Sequence, residues 1–317
     1  MGRSFKALAI FNEVKSDYEN SLLNVSDPIR RAKVLKEVHA RGAQKALQLA
    51  RENGGIYNKA AQFVASLQGG AGKRGIPEEY VRTLSVLTDQ APPKTFEEID
   101  SVIKEEFGKS AEELFLSFDK KPIAAASLAQ VHRALLHNGT EVAVKVIYPS
   151  LRKEMASDFS VLRTMGVQVK PGGLDLSVLI NDFEKALRGE LDFESEATNS
   201  EKTAHVLAHM PQAKVPRVLW EFTSKSVLTM EFERDLLRLN DEEGILAAGL
   251  RLEDVGELVA DTFSEMILCH GHVHGDPHAG NIYVRAKGSP PRPELVLLDH
   301  GLYHSIDDVS REKLCRF

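Results

Sequence analysis

Apolar and polar positions repeat along this chain with two different periods, and the change falls near residue 114. Residues 1–110 read as helical. Asp27-Pro28 is an N-cap followed by proline at the first helical position, and it predicts a long helix running to the glycine stop at Asn53-Gly54-Gly55. At 100° per residue, Arg30, Lys33, Arg41, Lys45 and Arg51 gather on one face of that helix, and Leu35, Val38, Ala46 and Leu49 on another. Such a basic face suits solvent or an anionic phospholipid surface. A second helix, about 56–67, carries Lys59-Ala60-Ala61-Gln62 beside an apolar stripe of Ile56, Phe63, Val64 and Leu67. A glycine-rich break follows at 69–72, then shorter helices near 77–88 and 96–107, parted by Pro92-Pro93.

Beyond 114 the period shortens to two. The runs 129–136 and 141–147 flank His137-Asn138-Gly139-Thr140, and Asn-Gly between alternating runs signals a hairpin. Helices are predicted at about 150–168 and 176–209, strands near 215–222 and 226–232, and a helix near 252–270. Strands near 281–286 and 294–298 complete the pattern, with the glycine- and proline-rich insert 288–293 as a hairpin tip. The fold class is therefore α+β.

Composition narrows the choices. Apolar residues make up 43% of the 317, enough for a packed core. A net charge of -6 argues against a general nucleic-acid binder. Two cysteines, Cys269 and Cys315, build neither a disulfide framework nor a CxxC zinc pattern. No apolar run approaches the roughly 20 residues that span a bilayer, so no transmembrane helix is expected.

The chemistry lies in three motifs. Val142-Ala143-Val144-Lys145 ends an alternating strand on a lysine; in a kinase-like fold that lysine holds the nucleotide α- and β-phosphates. In His274-Gly275-Asp276-Pro277-His278-Ala279-Gly280-Asn281 the aspartate and asparagine are five positions apart, the spacing of a kinase catalytic loop. Asp276 can accept a hydroxyl proton, and the Asn281 carbonyl is a neutral oxygen ligand for Mg²⁺. A rival reading of this stretch is zinc, because His270, His272, His274 and His278 are crowded; no cysteine or carboxylate completes a set with catalytic spacing. Asp299-His300-Gly301 follows the apolar run 295–298, and a carboxylate ending a buried strand needs a partner, for which a metal is the obvious candidate. This is the kinase Asp-Phe-Gly position with histidine replacing phenylalanine. Three motifs in this order imply a protein-kinase-like, two-lobed fold behind an N-terminal helical extension. The domains are then 1–110 for the extension and 111–317 for the kinase-like part, its N-lobe about 111–232 and its C-lobe about 233–317. No GxGxxG precedes the lysine strand. In its place stands Pro122-Ile123-Ala124-Ala125-Ala126-Ser127, which must cradle phosphate differently, with a helix N-terminus as the expectation.

Together these residues resemble the UbiB family, the aarF-domain-containing atypical kinases, from about residue 28 onward. Ala124, Ala125, Ala126 and Ser127 look like that family's replacement for the glycine-rich loop. Glu190-Leu191-Asp192 with Glu196 and Asn199 looks like its ExD signature. Residues 275–281 look like its catalytic loop, with Ala279 where proline is usual, and Tyr57-Asn58-Lys59-Ala60-Ala61-Gln62 like its KxGQ motif, with Ala61 where glycine is usual. The run at 299–303 looks most like a eukaryotic branch whose members are generally mitochondrial or plastid. The resemblance implies ATP or ADP and Mg²⁺ as cofactors, with Asp276, Lys145 and Glu196 catalytic, Asn281 and Asp299 on the metal, and Met230 and Glu231 beside the alanine loop in the nucleotide set. Lys145 would pair with Glu196. Lys59 and Gln62 would be regulatory with Glu190 and Asp192, the KxGQ segment folding over the active site where a protein substrate would dock. ATPase or nucleotide-switch behaviour is then expected over protein phosphorylation, in support of coenzyme Q or other isoprenoid and lipid homeostasis, with an isoprenoid lipid or anionic membrane surface as partner.

Two rivals stand beside this. One is a small-molecule phosphotransferase of the aminoglycoside or choline kinase type, which shares His-Gly-Asp-x-x-x-x-Asn but lacks the Lys-x-x-Gln helix. The other is an inactive, nucleotide-gated lipid-binding scaffold. Because a kinase-like domain normally continues well past this point, the C-lobe reads as truncated sixteen residues after Gly301.

Overall fold

The structure, a computed structural model, describes residues 2–66, 76–87, 93–168 and 176–316. The breaks expected at 69–72 and at Pro92 lie outside the described residues. The helices are α1 (Arg3–Leu22), α2 (Pro28–Asn53), α3 (Gly55–Ser66), α4 (Glu78–Leu84), α5 (Phe96–Phe107), α6 (Ala111–Leu114), α7 (Pro149–Gln168), α8 (Leu176–Glu190), α9 (Phe193–Val206), α10 (Glu242–Ala247), α11 (Leu252–Ser264) and α12 (Asp308–Cys315). The strands are β1 (Ser117–Phe118), β2 (Ala124–Ala125), β3 (Ala129–Leu135), β4 (Glu141–Ile147), β5 (Ala213–Lys214), β6 (Val227–Glu231), β7 (Leu237–Arg238), β8 (His272–His274), β9 (Ile282–Lys287), β10 (Arg292–Leu297) and β11 (Tyr303–Ser305). The chain forms two compact units. One comprises Met1–Glu98, Ala124–Gln130 and Ile147–Leu187, the other Ile99–Ile123, Val131–Val146 and Arg188–Phe317.

The first unit is helical. α2 begins as its sequence dictates: the Asp27 carboxylate accepts the Arg30 N–H at 2.7 Å, proline follows, and Gly54 at φ +59° ends the helix. α1 lies antiparallel against it. Arg41 meets Asp17 at 2.8 Å, Lys45 meets Glu13 at 2.6 Å and Lys6 meets Glu52 at 3.4 Å, so two of the five cations of the basic face are answered by α1. The opposite face of α2 is buried. Leu47 and Ala50 pack with Ala61 and Leu84, and Leu49 with Ala7 and Tyr57.

The second unit holds the sheets. One is antiparallel in the order β1-β3-β4-β6, with Lys145 opposite Leu228 and Val142 opposite Glu231. Its β3–β4 hairpin turns at the expected Asn-Gly, where Gly139 takes φ +85° and Asn138 Oδ1 accepts the Thr140 N–H at 3.0 Å. The other sheet runs β5-β10-β9-β7, and its β9–β10 hairpin turns through the predicted insert. Ile282, Leu295 and Leu297 from this sheet bury Val206, Leu207 and Met266.

Four expectations are corrected. The helix of 176–209 breaks at Leu191–Asp192, because Asp192 caps a new helix by accepting the Ser195 N–H. The strand of 215–222 is largely absent. Leu219 and Glu231 bond across to Thr229 and Arg217, but the ladder stops at a 3-10 turn, Trp220–Phe222, where the Thr223 hydroxyl bonds the Leu219 carbonyl instead. The helix of 252–270 ends at Ser264 and continues as a π-helical turn, Glu265–Cys269. The alanine loop opens no helix. Ala124–Ala125 pairs with β3, and the Ala126 N–H closes a tight turn on the Ala129 carbonyl at 2.8 Å.

Candidate functional site

Lys145 is the fifth residue of the alternating strand β4, and its side chain comes to rest among charges of the second unit. Its ammonium donates to both Glu196 oxygens at 2.8 and 2.9 Å and to Asp299 Oδ2 at 3.1 Å, and lies 5.0 Å from the centre of the Phe193 ring. Glu196 is 2% exposed, on the first turn of α9, which the Asp192 cap starts at the right place to aim it. Asp299 follows β10, and the Gly301 N–H bonds its Oδ1 at 3.0 Å. One cation thus meets two carboxylates. Burial opposes the lysine charge, but Asp299 and Glu196 more than offset it and hold its pKa well above the ordinary value. Burial likewise acts to raise Asp299, yet Lys145 and the Gly301 N–H outweigh it and keep that carboxyl ionised far below its usual range. Glu196 bears the imbalance. Burial pushes it up to about 7, the Asp299 charge adds to the push, and Lys145 opposes it.

Backbone pairing joins the loop 275–281 to this cluster. β8, which leads into Gly275-Asp276, pairs antiparallel with β11, which follows Asp299-His300-Gly301, so that His274 faces Tyr303. The Gly275 N–H bonds the Leu302 carbonyl at 2.8 Å, and a Cβ on Gly275 would strike the Leu302 side chain at 2.6 Å, so only glycine lets the two segments approach this closely. The buried ring of His274 ties them again. Its Nδ1 accepts the Asp276 N–H at 3.1 Å, which leaves Nε2–H to donate to the Asp299 carbonyl at 3.0 Å. Burial lowers its pKa, consistent with that neutral tautomer. The Asp276 carboxylate is exposed, with His278 at 3.6 Å. The Asn281 amide donates to the Asp276 carbonyl at 3.2 Å, which leaves its oxygen as acceptor. Asn281 Oδ1 and the Asp299 carboxylate are an oxygen donor set that suits a hard cation such as Mg²⁺.

The histidine at the phenylalanine position is fully satisfied. His300 Nε2 donates to the Leu297 carbonyl at 3.2 Å, its Nδ1 accepts the Tyr303 hydroxyl at 3.0 Å, and burial pushes its pKa down to about 4. The four crowded histidines do not converge on a metal. His272 bonds Thr203, His274 and His278 are engaged as above, and His270 bonds Glu265. Among the described residues no group of three or more His, Cys, Asp and Glu is arranged to hold one.

The remaining candidates fall in several places. Met230 and Glu231 end β6, where the Glu231 carboxylate is held by Lys214 and Arg217 and its N–H by the Arg217 carbonyl. Glu190 ends α8, and Asp192 caps α9. Ala124–Ser127 belongs to the first unit, where Ser127 is buried and the Tyr148 hydroxyl bonds the Ala126 carbonyl at 2.9 Å. Lys59 and Gln62 are half-buried on α3 of that unit. Sequence reasoning missed Phe193 beneath Lys145 and the role of His274 as a tie. Phe193 carries no motif signal; His274 was visible only as one of four histidines.

Comparison with known proteins fits this geometry. The family model described as the ABC1 atypical kinase-like domain matches residues 86–317. AarF domain-containing protein kinase 1 of Mus musculus is 38% identical over 315 residues, which is 98% of this chain and 58% of that protein. A putative ABC1 protein of Arabidopsis thaliana is 38% identical over 317 residues, 93% of this chain and 57% of that protein. The chain therefore spans a little over half the length of these relatives. Among solved structures, the Rv3197–erythromycin complex from Mycobacterium tuberculosis aligns with a TM-score of 0.56 at 25% identity, over 87% of this chain and 68% of that one. On the family match, and on near-full-length identity to proteins of animals and plants, this chain belongs to the UbiB family, the ABC1 or AarF-domain group of atypical kinase-like proteins.

Proposed function

We propose that this chain binds ATP or ADP with Mg²⁺ and acts as an ATPase or nucleotide switch rather than as a protein kinase. The observation that carries the reading is Lys145 held by Glu196 and Asp299 at once. This arrangement keeps the ammonium charged and fixed before any phosphate arrives, so it is not reorganised on binding. Lys145 would hold the α- and β-phosphates, Asn281 and Asp299 the Mg²⁺, and Asp276 would orient the attacking group. The bound metal would neutralise phosphate charge. Ala124–Ser127, Met230 and Glu231 would line the nucleotide. Lys59, Gln62, Glu190 and Asp192 would form the regulatory contact of the KxGQ segment, within a helical extension 1–110 preceding a kinase-like domain 111–317. The cellular role would be coenzyme Q or other isoprenoid and lipid homeostasis at a mitochondrial membrane, with the plastid as alternative.

The test is thermal stabilisation by Mg·ATP and Mg·ADP, read beside phosphate release with and without liposomes of anionic lipid. Asp299→Asn and Asn281→Ala should each weaken Mg²⁺-dependent stabilisation. Stabilisation that survives both changes sinks the metal assignment. The catalytic-loop spacing, and the erythromycin bound to the mycobacterial neighbour, favour one second reading: transfer of phosphate to a small molecule. A phosphorylated alcohol or macrolide product would establish that instead.

A further inference from the structure

In the first unit, α1, α2, α3, α4, α7 and α8 surround a cavity of about 280 Å³. Among the described residues no Asp, Glu, Lys, Arg, Asn, Gln or His side chain lines it; the wall is aliphatic and aromatic, with Phe11, Phe63, Leu162 and Phe183 among its members. The side-chain polar groups at the wall are the phenols of Tyr18, Tyr57 and Tyr80. Two of these are turned toward one another and toward a buried imidazole: the Tyr18 hydroxyl lies 2.5 Å from His39 Nδ1 and 3.4 Å from the Tyr80 hydroxyl. Ordered water needs two to four polar partners, and this wall offers few, so apolar matter is the better filling.

Size and charge then select the occupant. A dry cavity of about 150 Å³ holds one benzene, so this one corresponds to roughly ten to twelve carbons. An anionic or cationic head would meet no opposite charge among the described residues of the wall. We propose that the cavity takes one uncharged hydrocarbon chain of about ten carbons, as found in acyl and prenyl lipids. The site goes beyond the nucleotide reading; its wall takes in Tyr57, Ala60 and Ala61 of the KxGQ segment but none of the residues that would hold the nucleotide or the metal.

Binding of the neutral fluorophore N-phenyl-1-naphthylamine to the full 317-residue chain tests this, with decanol, geraniol and decanoate as competitors. One saturable equivalent is expected, displaced by decanol, geraniol or both, with decanoate at pH 8 at least ten-fold weaker. Displacement by decanol alone identifies a straight chain as the occupant, and by geraniol alone a prenyl chain. Ala46→Met and Val14→Met fill the cavity from α2 and α1. Together they should weaken binding at least ten-fold while Tm stays level or rises, because filling a void adds packing. Either single change should act in the same direction, so a misfolded double variant leaves the test intact. Absence of saturable binding, unchanged affinity in the folded filled variants, or decanoate competing as well as decanol would overturn the proposal. Asp299→Asn should bind the fluorophore normally, and the filled variants should keep any Mg·ADP stabilisation, so this reading and the nucleotide reading fail separately.

Discussion

In the helical unit the pairs that join α1 to α2 lie at the surface, where Arg41 meets Asp17 and Lys45 meets Glu13 on partly exposed helix faces, while the interior holds an uncharged cavity. In the sheet-bearing unit one charged cluster lies inside. Lys145 is 18% exposed at its side chain, Glu196 is 2% exposed, and Asp299 is the one member with substantial access to solvent. The outer pairs exchange water for one another at little net gain. The inner cluster gives up hydration it cannot fully recover, with two carboxylates to one ammonium. An unbalanced inner cluster of this kind is the feature on which the proposed nucleotide reading rests.

The largest break in this contrast is Lys145→Ala. It leaves two carboxylates together in a buried site, and about 3–5 kcal/mol of stability should be lost in urea unfolding. A loss under about 1 kcal/mol would make the cluster equivalent to the surface pairs. Next is His300→Phe, which installs the residue usual at that position of a kinase. Here it should cost about 1–3 kcal/mol, because the Leu297 carbonyl and Tyr303 hydroxyl lose their partners; an unchanged Tm would show those bonds to be dispensable.

The third prediction concerns pH. Glu196 rises from near 4.5 in the unfolded chain to about 7 in the folded one. The native state therefore holds the extra proton between those values, and stability should fall as pH rises from about 4.5 to 7, by at most about 1.4 kcal/mol per pH unit. Glu196→Gln should flatten that slope in denaturation at several pH values. A slope equal to that of the parent chain would reassign the proton. The smallest effect is expected from Arg41→Ala with Lys45→Ala, under about 1 kcal/mol in total and shrinking in salt; a larger loss would mean that α1 is held on by charge rather than by Ala7 and Leu49 packing with Tyr57.

Much of this was legible because local rules acted alone. Asp27-Pro28, Asn138-Gly139 and the alternation of 141–147 each fix structure within a few residues, and each element formed where expected. Lys145 and Asp299 were grouped by the order of the kinase-like motifs and Glu196 by family resemblance, since 154 positions separate the ends of that cluster. The errors fell where local and distant demands compete. Asp192 broke a continuous helical pattern by capping, a choice Asp makes readily. The 215–222 run has strand-like residues, but Trp220 bonds Glu201 and the segment turns away from its neighbour. The alanine loop carries no dihedral signature of its own, so its turn followed from pairing with β3 rather than from composition. The cavity had no sequence signal, because small residues such as Ala46 and Ala60 look the same facing a void as facing a neighbour.

The bridging ring of His274 also makes this molecule observable. Its two nitrogens sit in opposite states, one a bare acceptor for Asp276 N–H and the other a donor to the Asp299 carbonyl. In a spectrum of the ¹⁵N-labelled imidazole they give two well-separated resonances, each addressed to one of the two segments. A ligand that disturbs only the loop would move one line, and a ligand that disturbs only the strand end the other. A cation bridging both would shift the two together, so one residue works as a two-channel reporter placed there by the fold itself.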